Sequence, residues 1–137
     1  MRDLMMEMYE AFKADSELSQ HVKDIRFFTY PNANDVKAPV IVIDDLTTPI
    51  PKDFADDDNL TYQYLYQIDL FIKQNSNDVS ARLLSNRVIY RIQRIMYEQF
   101  RFTVNSSGKP EYLKEFNLYR STLSFTGKIY REEMEQF

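Results

Sequence analysis

The sequence predicts an α+β fold: an antiparallel or mixed sheet of four to five strands, two main helices packed on one face, and one unusually long strand. Three observations predict it. Residues Leu60–Lys73, LTYQYLYQIDLFIK, alternate without a break, with Leu60, Tyr62, Tyr64, Tyr66, Ile68, Leu70 and Ile72 on one side and mostly polar residues on the other. Such a period of 2 means a strand with one apolar face. Residues 79–100 switch to a helical period, with Ala81, Leu84, Val88, Ile92, Ile95 and Met96 on one stripe. The order of elements is helix, two strands, long strand, long helix, two strands, without the strand–helix alternation of a parallel sheet.

Residues 2–14 read as a helix, because Leu4, Met5, Met8, Ala11 and Phe12 share one face. Asp15 and Ser16 read as a stop and a new N-cap, their short side chains accepting from free N–H groups. A short helical turn through Leu18 and His21 follows. Ile25–Tyr30 reads as a strand ended by Pro31, and Asn32–Ala38 as a polar loop. Pro39 opens Val40–Leu46, VIVIDDL, whose continuous β-branched run suits a strand buried on both faces. Thr47–Asn59 reads as a long irregular segment, since Pro49 and Pro51 oppose a regular ladder and a helix interior. The long strand follows. Fourteen residues at about 3.3 Å each would span roughly 45 Å, deeper than a small core. Its tyrosine end is therefore expected to project toward a neighbouring subunit, and its aliphatic end to lie in the core. Asn75–Asp78 reads as a turn and N-cap ahead of the long helix. Residues 101–118 hold a weak strand at Phe102–Val104 and a polar turn at Asn105–Pro110. Tyr119–Arg131 alternates again, with Leu123, Phe125 and Ile129 pointing one way.

The 137 residues, 44% of them hydrophobic, suit a single domain, 1–137, with one core. Ten Tyr, ten Phe and only two Gly argue against disorder. Without cysteine there is no disulfide framework and no thiolate zinc site. No apolar run reaches the ~18 residues of a membrane span. Met1-Arg2-Asp3 lacks the basic-then-apolar layout of a signal peptide. The net charge of −4 conceals a gradient. Residues 1–77 carry 7 Lys+Arg against 14 Asp+Glu, and residues 78–137 carry 10 against 7. Such a chain lacks the concentrated basic face of a dedicated nucleic-acid binder, but it permits head-to-tail contact between copies.

Chemistry-bearing clusters are few. Asp53, Asp56, Asp57 and Asp58 supply oxygens for a hard cation, but the spacing, central glycine and distal glutamate of an EF-hand are missing. A solvated acidic loop is the simpler reading, so no metal and no cofactor is expected. His21 is the only histidine, and it sits among polar residues as a surface or capping group rather than a catalytic base. With Gly108 and Gly127 the only glycines, no phosphate loop, dinucleotide fingerprint or nucleophile elbow can be built. Arg87, Arg91 and Arg94 form a basic stripe that could meet a partner's carboxylates. Tyr62, Tyr64 and Tyr66 offer the large, polar-tipped area that suits an interface. The expected subunit contact therefore packs Tyr62, Tyr64 and Tyr66 against a neighbour and sets Asp53, Asp56, Asp57 and Asp58 against Arg87, Arg91 and Arg94 across the interface.

Several strings together resemble one family. They are FKADSEL, FFTYPNANDVKAPVIVIDDL, PIPKDFADDDN, LTYQYLYQIDLF and YRSTLSFTGKIYR, spread over about residues 4–131. They are similar to the small tail terminator or tail completion proteins of long-tailed phages and prophages of Gram-positive bacteria. The resemblance implies an α+β subunit without an active site. It implies a homo-oligomeric ring, commonly a hexamer, that caps the tail tube and meets the head connector. The partners would be copies of itself, the tail tube protein and head connector proteins. The location would be the virion tail or neck, and the bacterial host cytoplasm during assembly. A neck or head-completion adaptor is the alternative the resemblance leaves open. A metal-dependent enzyme using the acidic loop is the alternative from another class.

Overall fold

The structure is a computed structural model that describes residues 1–74 and 80–135. Helix α1 (Leu4–Ala14) starts at Asp3, whose side chain accepts from the Met6 N–H, and ends at Asp15. Asp15 then caps α2 (Ser16–His21) by accepting from the Leu18 N–H. Strand β1 (Asp24–Phe27) stops where Phe28 turns to φ 61°. A 3-10 turn at Ala33–Asp35 leads to β2 (Val40–Asp45). Then come β3 (Ile50–Ala55), β4 (Asp58–Lys73) and α3 (Ala81–Phe100). Strands β5 (Thr103–Ser107) and β6 (Glu111–Leu113), a 3-10 turn at Lys114–Phe116, β7 (Leu118–Tyr130) and α4 (Arg131–Glu135) complete the chain. The turn expected at Asn75–Asp78 lies outside the described residues.

The α+β class holds, and the sheet is larger than expected: seven strands, mixed through the parallel β1–β2 pair. Its spine is the antiparallel pair β4–β7, in register from Thr61↔Tyr130 to Lys73↔Leu118. The other flank of β4 is shared, β2 pairing residues 66–71 and β3 pairing residues 58–63. The free flank of β7 is shared in the same way by β5 and β6.

Apolar residues on the helix side of the sheet form the main core. Ile41, Ile43, Ile68, Leu70, Leu123 and Phe125 meet Met8, Phe12, Leu18, Val88, Ile92, Ile95 and Met96 there. A smaller cluster on the opposite face joins Val40, Val42, Phe71 and Leu118 to Val36 of the loop after β1. Strand β2 is thus buried on both faces, as its unbroken run of β-branched residues requires.

Three expectations are corrected. First, Thr47–Asn59 is not irregular: Ile50–Ala55 pairs with β4. Pro51 is tolerated because β3 is an edge strand, and Asp53 at φ 56° interrupts its regularity. Second, β4 begins at Asp58, two residues before the alternation that announces it. Third, Tyr64 and Tyr66 do not project. Each is only 5% exposed, inside the main core of one chain. Tyr66 lies 5.8 Å, centroid to centroid, from buried Phe102, and stacks with Tyr64 at 6.0 Å. The start of α1 and Met134 of α4 close over the pair. Helix α4 has five residues, too few for a hydrophobic period to announce the cover.

Candidate assembly surface

The acidic segment forms the end of a β-hairpin arm. β3 and the start of β4 are joined by Asp56 and Asp57 at φ 53° and 63°, the left-handed pair that a two-residue hairpin turn needs. Aspartate tolerates this conformation because its short side chain can bond locally. The last β4–β7 pair is Thr61↔Tyr130, so residues 58–60 pair with β3 alone. All six residues of β3 are exposed. Phe54 is 69% exposed and Tyr130 63%, with Ile50 and Leu60 also exposed. An arm of this length with large apolar side chains in solvent has the composition of a contact surface.

The expected interface residues separate into groups. Asp53 accepts from Thr61 Oγ1 at 2.6 Å and pairs with Lys128 at 3.2 Å, contacts that hold its carboxyl below the usual range. Asp58 pairs with Arg131 at 3.0 Å. Both are used within the arm. Asp56 and Asp57 stand at its tip and make no ion pair among the described residues. Arg91 is taken by Asp15 at 2.7 Å, a clamp that joins α3 to the α1–α2 corner. Arg94 pairs with Glu98 at 2.6 Å, one turn along the same helix. Arg87 is largely exposed and only approaches Glu17, at 4.0 Å. Tyr62 is half-buried against the main core. The structure thus does not bring the four aspartates and three arginines together within one chain: Tyr64 and Tyr66 are buried, and Asp53, Asp58, Arg91 and Arg94 each hold an ion pair within the chain.

Other exposed apolar residues carry a weaker sequence signal. Ile50 and Phe54 lie four residues apart on β3, and Leu83, Tyr90 and Tyr97 recur every seven residues on the exposed face of α3. A polar network also crosses the sheet face opposite α1 and α3. The Tyr30 hydroxyl donates to Asp44 at 2.9 Å and accepts from Gln67 at 3.2 Å, and burial with the Asp44 contact pushes it up to about 12. Next to it the fully buried Asp69 accepts from Arg120 at 2.8 Å, and Arg120 lies 5.4 Å from the Phe71 ring centre.

Near the start of α1, Tyr64 and Thr47 face a cleft of about 280 Å³ lined also by Arg2, Asp45 and Met134. Their hydroxyls have no hydrogen-bond partner among the described residues, and burial raises the Tyr64 phenol. No group of three or more His, Asp or Glu converges as a metal site among the described residues. No described helix is long and apolar enough to cross a membrane. Comparison with protein-family models finds no match, and comparison with curated protein sequences finds none.

Proposed function

We propose that this protein is a structural phage assembly protein, a tail terminator that caps the tail tube and joins it to the head connector as a homo-oligomeric ring. The observation that carries this reading is the β3–β4 arm, an exposed hairpin that presents Phe54, Ile50 and Leu60 to solvent. Such an arm gains little for an isolated subunit, whose core lies elsewhere, and gains stability when a neighbour covers it. The resemblance of the sequence strings to tail terminators supports the same reading, as does the charge gradient along the chain. Native mass spectrometry at tens of micromolar protein tests it, alone and with tail tube protein. Discrete closed oligomers in either sample are the expected result. A purely monomeric protein in both would overturn the ring.

A further inference from the structure

We propose that the outward face of α3 is the seat for the β3–β4 arm of a second copy of this chain. The inference rests on the ring reading above and names the surface that the ring would use.

Leu83, Arg87, Tyr90, Arg94, Tyr97 and Arg101 recur at alternating spacings of four and three along and just past α3. At about 100° per residue they fall within about 40° of a single line. The buried Val88, Ile92, Ile95 and Met96 lie on the opposite side of the helix. A solvent-facing centre line is normally charged and polar without large apolar groups. Here Leu83, Tyr90 and Tyr97 are all exposed, Tyr90 by 64%. Arginines stand between them, with the Arg94 and Arg101 guanidinium carbons 5.8 and 5.4 Å from the Tyr97 ring centre. Arg94 also holds Glu98 at 2.6 Å and Arg87 approaches Glu17 at 4.0 Å, while Arg101 makes no ion pair among the described residues. The alternating aromatic and guanidinium groups therefore form a partly apolar seat with cationic capacity for an aromatic side chain beside carboxylates.

Charge selects the occupant. A symmetric α3 pair can set Arg87 against Tyr97 and Arg94 against Tyr90, but it gathers the arginines of both copies without adding a carboxylate that lacks a partner, whereas the arm tip supplies two. The arm tip has the complementary set. Phe54 is exposed, and Asp56 and Asp57 at the turn make no ion pair among the described residues, whereas Lys128 and Arg131 hold Asp53 and Asp58. Arm and seat are different surfaces of the subunit. Their contact is therefore heterologous, the kind that propagates head to tail and closes into a ring when the rotation permits.

The test places the photocross-linker p-benzoylphenylalanine at Phe54 of the full chain, and maps the cross-linked peptides by mass spectrometry under the conditions that give oligomers. Inter-copy links to residues 83–101 are expected. A second arm uses Asp56→Asn with Asp57→Gly, which keeps a favoured hairpin turn while removing both charges. Assembly of that variant is expected to weaken about tenfold. The double charge reversal Arg87→Glu with Arg94→Glu is expected to weaken it similarly, and to regain assembly when mixed with a partner that carries Ala55→Lys, at an exposed strand position, beside the Asp56→Asn, Asp57→Gly turn. Oligomers whose Phe54 links map elsewhere would overturn this seat and leave the ring reading standing. A protein monomeric in every condition would overturn both. Binding of a labelled DNA duplex that the Arg87→Glu, Arg94→Glu pair abolishes, without links to α3, would assign the stripe to nucleic acid and overturn the seat.

Discussion

At Gly127 the backbone of β7 passes beneath the ring of Phe102 so closely that an added Cβ would lie 2.2 Å from the ring's Cδ1. Phe102 is fully buried and touches Tyr66, so the ring has no free direction in which to retreat. Gly127→Ala is therefore expected to destabilise the fold by about 1–3 kcal/mol in urea titrations, the range of core overpacking. In a Phe102→Ala background the same Gly127→Ala change should cost close to nothing, because the Cγ, Cδ1 and Cε1 atoms that the new methyl meets are gone. Arg120 presents the opposite case. Its guanidinium compensates Asp69, which has no exposed surface, so Arg120→Leu leaves a buried carboxylate with only the Gln67 amide at 3.2 Å. That variant is expected to lose about 3 kcal/mol, while Asp69→Asn should lose less, since it removes the buried charge and leaves Arg120, which is partly exposed, to be solvated.

Between elements, Asp15 ends α1, caps α2 and binds Arg91 of α3 with one carboxylate. The Arg91 hydrogen bond is the main reason its pKa is lowered, helped by the Leu18 N–H. A carboxylate whose folded pKa is depressed contributes stability above its unfolded value, about 4, and loses it as pH falls through the folded pKa. Stability is therefore expected to decline as acid is added below about pH 4. Arg91→Met should lower stability by about 1–2 kcal/mol at neutral pH and reduce that decline. Chemical denaturation across pH reads both effects, and an unchanged acid limb in Arg91→Met would contradict the assignment. This clamp also shows how far the sequence could be read. The Asp15 cap was legible from adjacent residues, but its arginine is 76 residues away and reaches it only through the packing of α3 on α1. The long strands were legible because period 2 is local. Strand β3 was not, because proline argues against a ladder until the strand is known to be an edge. The burial of Tyr64 and Tyr66 was not, because the short α4 that helps to cover them leaves no periodic trace.

At the scale of the whole molecule, the subunit separates into a body that folds and an arm that is available. The body holds both apolar clusters, and no residue of β3 belongs to either. Residues 52–61 contribute mostly exposed surface, the buried polar pair Asn59 and Thr61, the Lys128 and Arg131 ion pairs, and one β4–β7 register pair, but no member of either apolar cluster. Exposed ion pairs are each worth about 0–1 kcal/mol. Replacing residues 52–61 by Asn-Gly would join Pro51 to Tyr62, already a cross-strand pair, through a favoured two-residue turn. The trimmed protein is expected to stay folded, with a midpoint lowered by a few degrees at most, because the core is untouched. Its assembly is a separate quantity. The intact protein should form oligomers that loosen as salt rises from about 0.05 M to about 0.5 M, since the Debye length then falls well below the reach of exposed arginines and aspartates. The trimmed protein should remain monomeric at every salt concentration. Sedimentation velocity on both proteins decides the matter. Trimmed protein that still assembles would move the subunit contact off the arm, and trimmed protein that unfolds would make the arm part of the body.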